Sequence, residues 1–212
     1  MLRTVSVALF FTIALSSVAE AQLVHSFGLK VGASATSEDW QYAANIGSID
    51  AKTRWGIDVG TFVEWFNIPV WSLSSEIHYI QKGFKVQLAV TTPESPDGNG
   101  SVLTLSPRVD YLSIPILAKC RLELGLSTLY VIAGPRIDFF LSSEDDGFGD
   151  VISKFKSTEY GVTIGLGFLA TSMGPLGLGA EIRYSPTLQD SYSTNLLSVR
   201  NRSLEMLLVL NY

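Results

Sequence analysis

Few side chains in this sequence have types and spacings suited to chemistry. There are two histidines, His25 and His78, and a single cysteine, Cys120. His78 follows Glu76 by two residues, so on a strand both side chains point the same way and a hydrogen bond between them is within reach. Lipid hydrolysis would need that imidazole on an outer, lipid-facing rim beside a serine nucleophile and an orienting carboxylate. The other reading is a histidine that fills a polar interior network, and it is the one adopted. Cys120 has no cysteine partner and no histidine near it in sequence, which suits an apolar filler on a strand. The run Glu144-Asp145-Asp146-Gly147-Phe148-Gly149-Asp150 could hold a divalent cation, but it lacks the ligand spacing of a calcium loop and reads as a solvated acidic loop. No phosphate-binding glycine loop, zinc spacing or basic patch is present. No catalytic, cofactor-binding or metal-ligating residue is therefore assigned, and no cofactor or nucleic-acid partner is expected.

The elements that carry these residues read as strands. From Tyr160 to Tyr184 every second residue is apolar: Tyr160, Val162, Ile164, Leu166, Phe168 and Ala170, then Leu176, Leu178, Ala180, Ile182 and Tyr184 after a turn at Ser172 to Pro175. Period two marks strands, and two of them around a short turn make a hairpin. Eight such segments are expected, at about 27–35, 54–66, 71–84, 108–122, 128–141, 160–170, 176–184 and 202–212. Their connections alternate strictly between long and short. That alternation, an even strand count and segments longer than soluble sheets use predict an all-β, eight-stranded antiparallel up-and-down transmembrane β-barrel with short periplasmic turns and long extracellular loops.

Composition agrees. Hydrophobic residues make up 47% and charged ones 17%, yet beyond the first residues no apolar run reaches helical spanning length. A chain that is apolar on alternate positions can enter lipid only as a closed barrel. Residues 1–21 read as a secretory signal peptide, with Arg3, an apolar run from Val5 to Ser17, and Ala19-Glu20-Ala21 as the cleavage site, leaving a barrel domain over 22–212. The net charge of −5 offers nothing to nucleic acid.

With the apolar face in lipid, Lys30, Lys82, Lys119, Arg121, Arg136 and Arg183 share the interior with Asp58, Glu64, Glu76, Glu123, Asp138, Glu181 and Glu205. Such charges must pair, so ladders of salt bridges and a filled lumen are expected. A soluble lipocalin-like barrel binding an apolar ligand would reverse both faces. Pro115 and Pro135 lie inside strands, where a missing amide calls for a bulge or a local break.

The stretch Tyr111-Leu112-Ser113-Ile114-Pro115-Ile116-Leu117-Ala118-Lys119, followed by Ala133-Gly134-Pro135-Arg136 and by a last strand opening on Asn201-Arg202-Ser203-Leu204, resembles the PorT-like outer-membrane β-barrel proteins of Bacteroidota. The resemblance spans nearly the whole mature chain through structural motifs, and it departs at the end, where Asn211-Tyr212 stands in place of the common Arg-Phe. It implies an outer-membrane location, with insertion by the barrel-assembly machinery, and no particular activity. The function expected is a non-enzymatic outer-membrane barrel with a structural, adhesive or secretion-accessory role. Its partners are outer-membrane lipid and lipopolysaccharide, and proteins met through the loops at 36–53, 85–107, 142–157 and 186–200. A narrow ion or small-solute channel is the alternative.

Overall fold

The structure is a computed structural model, and it describes residues 24–42, 52–66, 68–89, 102–144, 146–147, 156–173, 176–193 and 197–212. The expected signal peptide, the turn residues Gly174 and Pro175, and the middle of each long loop lie outside the described residues. The strands are β1 (Val24–Tyr42), β2 (Lys52–Trp65), β3 (Trp71–Ala89), β4 (Val102–Leu105), β5 (Arg108–Leu124), β6 (Ser127–Glu144), β7 (Thr158–Met173), β8 (Leu176–Pro186), β9 (Tyr192–Ser193) and β10 (Leu197–Asn211). Eight of them form a ring in the order β1-β2-β3-β5-β6-β7-β8-β10, closed by antiparallel pairing of β10 with β1. Closure leaves no strand edge around the wall, the condition for spanning lipid with strands.

Partners traced once around the wall from Val24 run through Trp65, Leu73, Ala118, Ala133, Ile164, Tyr184 and Leu204. They return to β1 at Ala35, eleven residues on, a count that includes the irregularity after Val24. This offset is the stagger that tilts the strands of a closed barrel. At one end lie the short turns and the strand ends Val24 and Asn211; at the other lie the long connections.

Period two fixes which face is outside. Leu29, Val31, Ile57, Ile164, Leu166, Ile182 and Leu208 are exposed, while Lys30, Asp58, Glu76, Lys82, Arg183 and Glu205 are buried. The apolar face is thus the outer one, which overturns the lipocalin-like alternative with its inward apolar set.

Several details differ from the sequence reading. Two extra strands appear: β4 continues the register of β5 along β3 across Ser106-Pro107, and β9 pairs with β10. The ladder breaks at both prolines, but without a bulge. Between Ser75–Ile116 and His78–Ser113 the β3–β5 pairing lapses and resumes in the same register, with Pro115 in the gap; the β5–β6 pairing lapses likewise between Pro115–Arg136 and Ala118–Ala133, opposite Pro135. Register shifts occur elsewhere, between Val24 and Ser26, Thr53 and Asp58, Asp110 and Tyr111, and Ala170 and Met173. Glu123, expected in the interior, is exposed, because it sits at the end of β5 next to the Gly125 turn, where water reaches it.

The interior is also less uniformly polar than alternation suggested. Phe62, Leu117, Tyr130, Ile132, Leu169 and Val209 form one buried cluster. Ile80, Val109 and Tyr111, with Phe140 against them, form a second. Charged layers lie among these apolar ones.

Candidate functional site

Inward positions on β1, β3 and β8 bring four charges together in mid-barrel. Lys30 Nζ lies 2.8 Å from Glu76 Oε1 and 3.1 Å from Glu181 Oε2. Arg183 reaches Glu76 Oε2 at 2.6 Å through one terminal nitrogen and pairs with Glu181 through Nε. Hydroxyls complete the acceptors: Ser74 donates to Glu76 at 2.9 Å, and Tyr130 donates to Glu181 at 2.8 Å. All of these groups are buried, and in such surroundings charges are tolerable only when paired and hydrogen-bonded on every side.

His78 belongs to this network. Its Nδ1 lies 2.6 Å from Asp58 Oδ1 and its Nε2 2.9 Å from Glu76 Oε2. The Glu76 contact foreseen from their spacing is present; Asp58, twenty residues away on β2, could be found only once β2 and β3 were in register. The imidazole lies directly across from Gly60, its register partner, where an added Cβ would overlap the ring. Gly60 therefore makes the room that His78 occupies. Each ring nitrogen is engaged by a carboxylate, and the ring is buried inside the wall rather than set on a lipid-facing rim. General-base chemistry has no open nitrogen to use there.

Toward the short turns, Lys119 pairs with Glu64, which also accepts from Ser72 at 3.2 Å, while the Lys119 ammonium lies 3.9 Å from the centre of the Tyr130 ring. Toward the long loops, Lys82 lies 2.5 Å from Asp138, and Arg136 reaches Asp138 at 3.1 Å and Glu205 at 3.4 Å. Above them Tyr111 and Asn201 each donate to Glu159 at 3.0 Å. Lysines over aromatic faces recur, with Lys30 4.9 Å from the Phe62 centroid and Lys82 4.7 Å from that of Tyr111. These contacts add cation–π attraction to the ion pairs. A cavity of ≈ 10 Å³, about one water's room, lies between the middle and upper groups against Asp58, His78, Ser113, Arg136, Arg183 and Glu205.

Of the charges expected inside, only Glu123 stands outside. Sequence reasoning missed Glu159, Glu38 and Asp110, all buried. For Glu159 a signal existed: with Tyr160 outward, the residue before it must point inward, and β7 begins one residue earlier still. Around the described residues no group of three or more His, Cys, Asp or Glu side chains is arranged to hold a metal ion. Of the acidic stretch, Glu144, Asp146 and Gly147 are described and exposed, and Asp146 accepts from the Ser106 amide at 2.6 Å; Asp145, Phe148, Gly149 and Asp150 lie outside the described residues.

At the loop end, the segment after β8 runs between β7 and β10. Leu188 donates to the Tyr160 carbonyl at 2.9 Å, and Thr187 and Ser191 donate to Asn201 and Val199 at 3.0 and 2.8 Å. Beside it Arg200 Nε lies 2.6 Å from Asp190 and, by that hydrogen bond, holds the half-buried carboxyl below its ordinary range.

The family model described as "Outer membrane protein beta-barrel domain" matches residues 20–193. No curated protein matches. Among solved structures, the outer membrane protein OprG from Pseudomonas aeruginosa is similar at 13% identity over 90% of this chain and 96% of its own, with a TM-score of 0.50. Neisserial surface protein A is similar at 14% identity over 87% of this chain and 95% of its own, with a TM-score of 0.49. Ail, the attachment invasion locus protein of Yersinia pestis, solved with the heparin analogue sucrose octasulfate, is similar at 12% identity over 88% of this chain and 98% of its own, with a TM-score of 0.41. At 13% identity the likeness to OprG is one of fold.

Proposed function

Since this chain belongs to the outer membrane protein beta-barrel domain family and resides in the outer membrane, we propose that it is a non-enzymatic barrel acting through its extracellular loops, in an adhesive or secretion-accessory role. The observation that carries this reading is the filled interior. Lys30, Glu76, Glu181 and Arg183 link β1, β3 and β8 across the lumen, and the cluster of Phe62, Leu117, Tyr130, Ile132, Leu169 and Val209 adds an apolar layer. A lumen closed by paired charges and packed side chains leaves the loops as the part able to meet a partner.

Purified barrel in a planar bilayer is expected to give no stable single-channel steps. Exchange of the segments at 36–53, 85–107, 142–157 and 186–200 should change the surface phenotype while leaving insertion intact. Stable conductance would replace this reading with a narrow channel, and an unchanged phenotype after all four exchanges would remove the role given to the loops.

The PorT-like resemblance supports the secretion-accessory form of the role. Loss of the protein is then expected to alter the set of proteins the cell secretes, and an unaltered secretome would leave the adhesive form. Residues 1–21 are taken as the export signal and 22–212 as the barrel domain, inserted by the barrel-assembly machinery.

A further inference from the structure

On β2 the outward side chains run from Trp65, near the short turns, to Trp55, near the long loops. Ten residues at ~3.3 Å each, tilted ~40°, rise about 25 Å, the height of the apolar band on such barrels. Trp65 and Trp55 thus mark its two borders, with Val63, Val59 and Ile57 between them. On the neighbouring strand Ile77, Tyr79 and Gln81 face the same way, and Gln81 donates to the Tyr79 hydroxyl at 3.1 Å. Just beyond this border Lys52 and Lys85 are direct register partners. Phe84 and Val86 on either side of Lys85 are buried, so Lys85 points outward. Lys52 donates to Gln87, the next outward residue on β3, so it occupies the same outer face.

Like charges directly opposite one another on a sheet repel. Among the described residues neither lysine has a carboxylate partner; their one polar link is the Lys52–Gln87 bond. Both stand at the depth where the outer leaflet of this membrane places its phosphorylated headgroups, with Trp55 and Tyr79 below them at acyl-chain level.

We propose that Lys52 and Lys85, with Gln87, form a site for a phosphate group of the outer-leaflet glycolipid, lipopolysaccharide. The phosphate would lie between the two ammonium groups, replacing their repulsion with two charge-assisted hydrogen bonds, while an acyl chain runs down over Trp55 and Tyr79. The site sits at the roots of two of the exchanged segments, 36–53 and 85–107, and it rests on the membrane location alone rather than on the role proposed for the loops.

The test is native mass spectrometry of the full folded barrel, released from detergent after incubation with bisphosphorylated lipid A or with the same lipid after enzymatic removal of its phosphates. Wild type should retain the phosphorylated lipid at least about fivefold more than the dephosphorylated one. Lys52→Gln/Lys85→Gln should lose that preference while keeping the cold-versus-heated gel shift of a folded barrel. The charge-matched control Lys156→Gln/Arg202→Gln should keep it. Equal retention of the two lipids by wild type, undiminished preference in the Lys52/Lys85 variant, or equal loss in the control would each overturn the proposal. Should the double variant not fold, Lys85→Gln alone is read the same way, and the wild-type comparison of the two lipids needs no variant.

Discussion

Arg183 touches two carboxylates that it shares with Lys30, and its side chain is essentially without solvent contact. Removing one partner of a buried ion pair leaves the other uncompensated, at a cost of about 3–5 kcal/mol. Arg183→Met should therefore lower the unfolding free energy of the folded barrel in a urea titration by that amount, with a lower midpoint, whereas Glu123→Gln on the exposed rim should stay within about 0.5 kcal/mol of wild type. Equal midpoints for the two variants would show that the interior charges do not hold the wall. The identity of these charges was legible because inward parity is a local property: Lys30 sits between Leu29 and Val31, Glu76 between Ser75 and Ile77, and Arg183 between Ile182 and Tyr184. Their pairing was not legible. Glu76 and Arg183 are 107 residues apart, and only the register of the wall decides which carboxylate meets which cation. Parity also says nothing about where a strand stops, which is why Glu123 was drawn inward and Glu159 was left in a loop.

Strands show the same division. Alternation located all eight members of the wall, because each must present apolar groups to lipid on every second residue. It understated their length: β1 and β3 both run to 19 residues, well past the apolar stretch, since backbone pairing with β10 and β4 continues after the side-chain pattern fades. The prolines were read correctly as interruptions, yet the wall keeps its register across them, because the pairs on either side are enough to hold it. Cys120 offers a check of parity at this scale. It lies on the lipid-facing set of β5 with Ala118 and Leu122, one residue from the inward Lys119. A membrane-impermeant maleimide should leave it unmodified in the folded, membrane-embedded barrel and modify it fully after heating in detergent. Rapid labelling of the folded protein would mean that β5 is turned the other way.

For the molecule as a whole, the membrane location and the closed ring predict a heat-dependent gel shift in the outer-membrane fraction, since a closed barrel resists detergent until heated. Intact mass of that material should correspond to a chain beginning at Gln22; a mass retaining residues 1–21 would remove the cleavage assigned there. Architecture was the most legible level, because strict alternation of long and short connections is a property of chain order alone. What the molecule binds was the least legible, since loops carry no periodic constraint that ties their sequence to a shape.

The ring closes where Phe27 and Tyr212 exchange backbone hydrogen bonds of 3.0 and 2.8 Å, with their rings 5.3 Å apart. The last strand of the wall to leave the ribosome is thus the one that covers the open edge of the first. Until then every earlier strand belongs to an unfinished sheet with two unsatisfied borders, a state that lipid will not accept. A polypeptide cut short within β10 would leave part of the β1 edge unpaired, an open border of the kind that hydrocarbon does not tolerate.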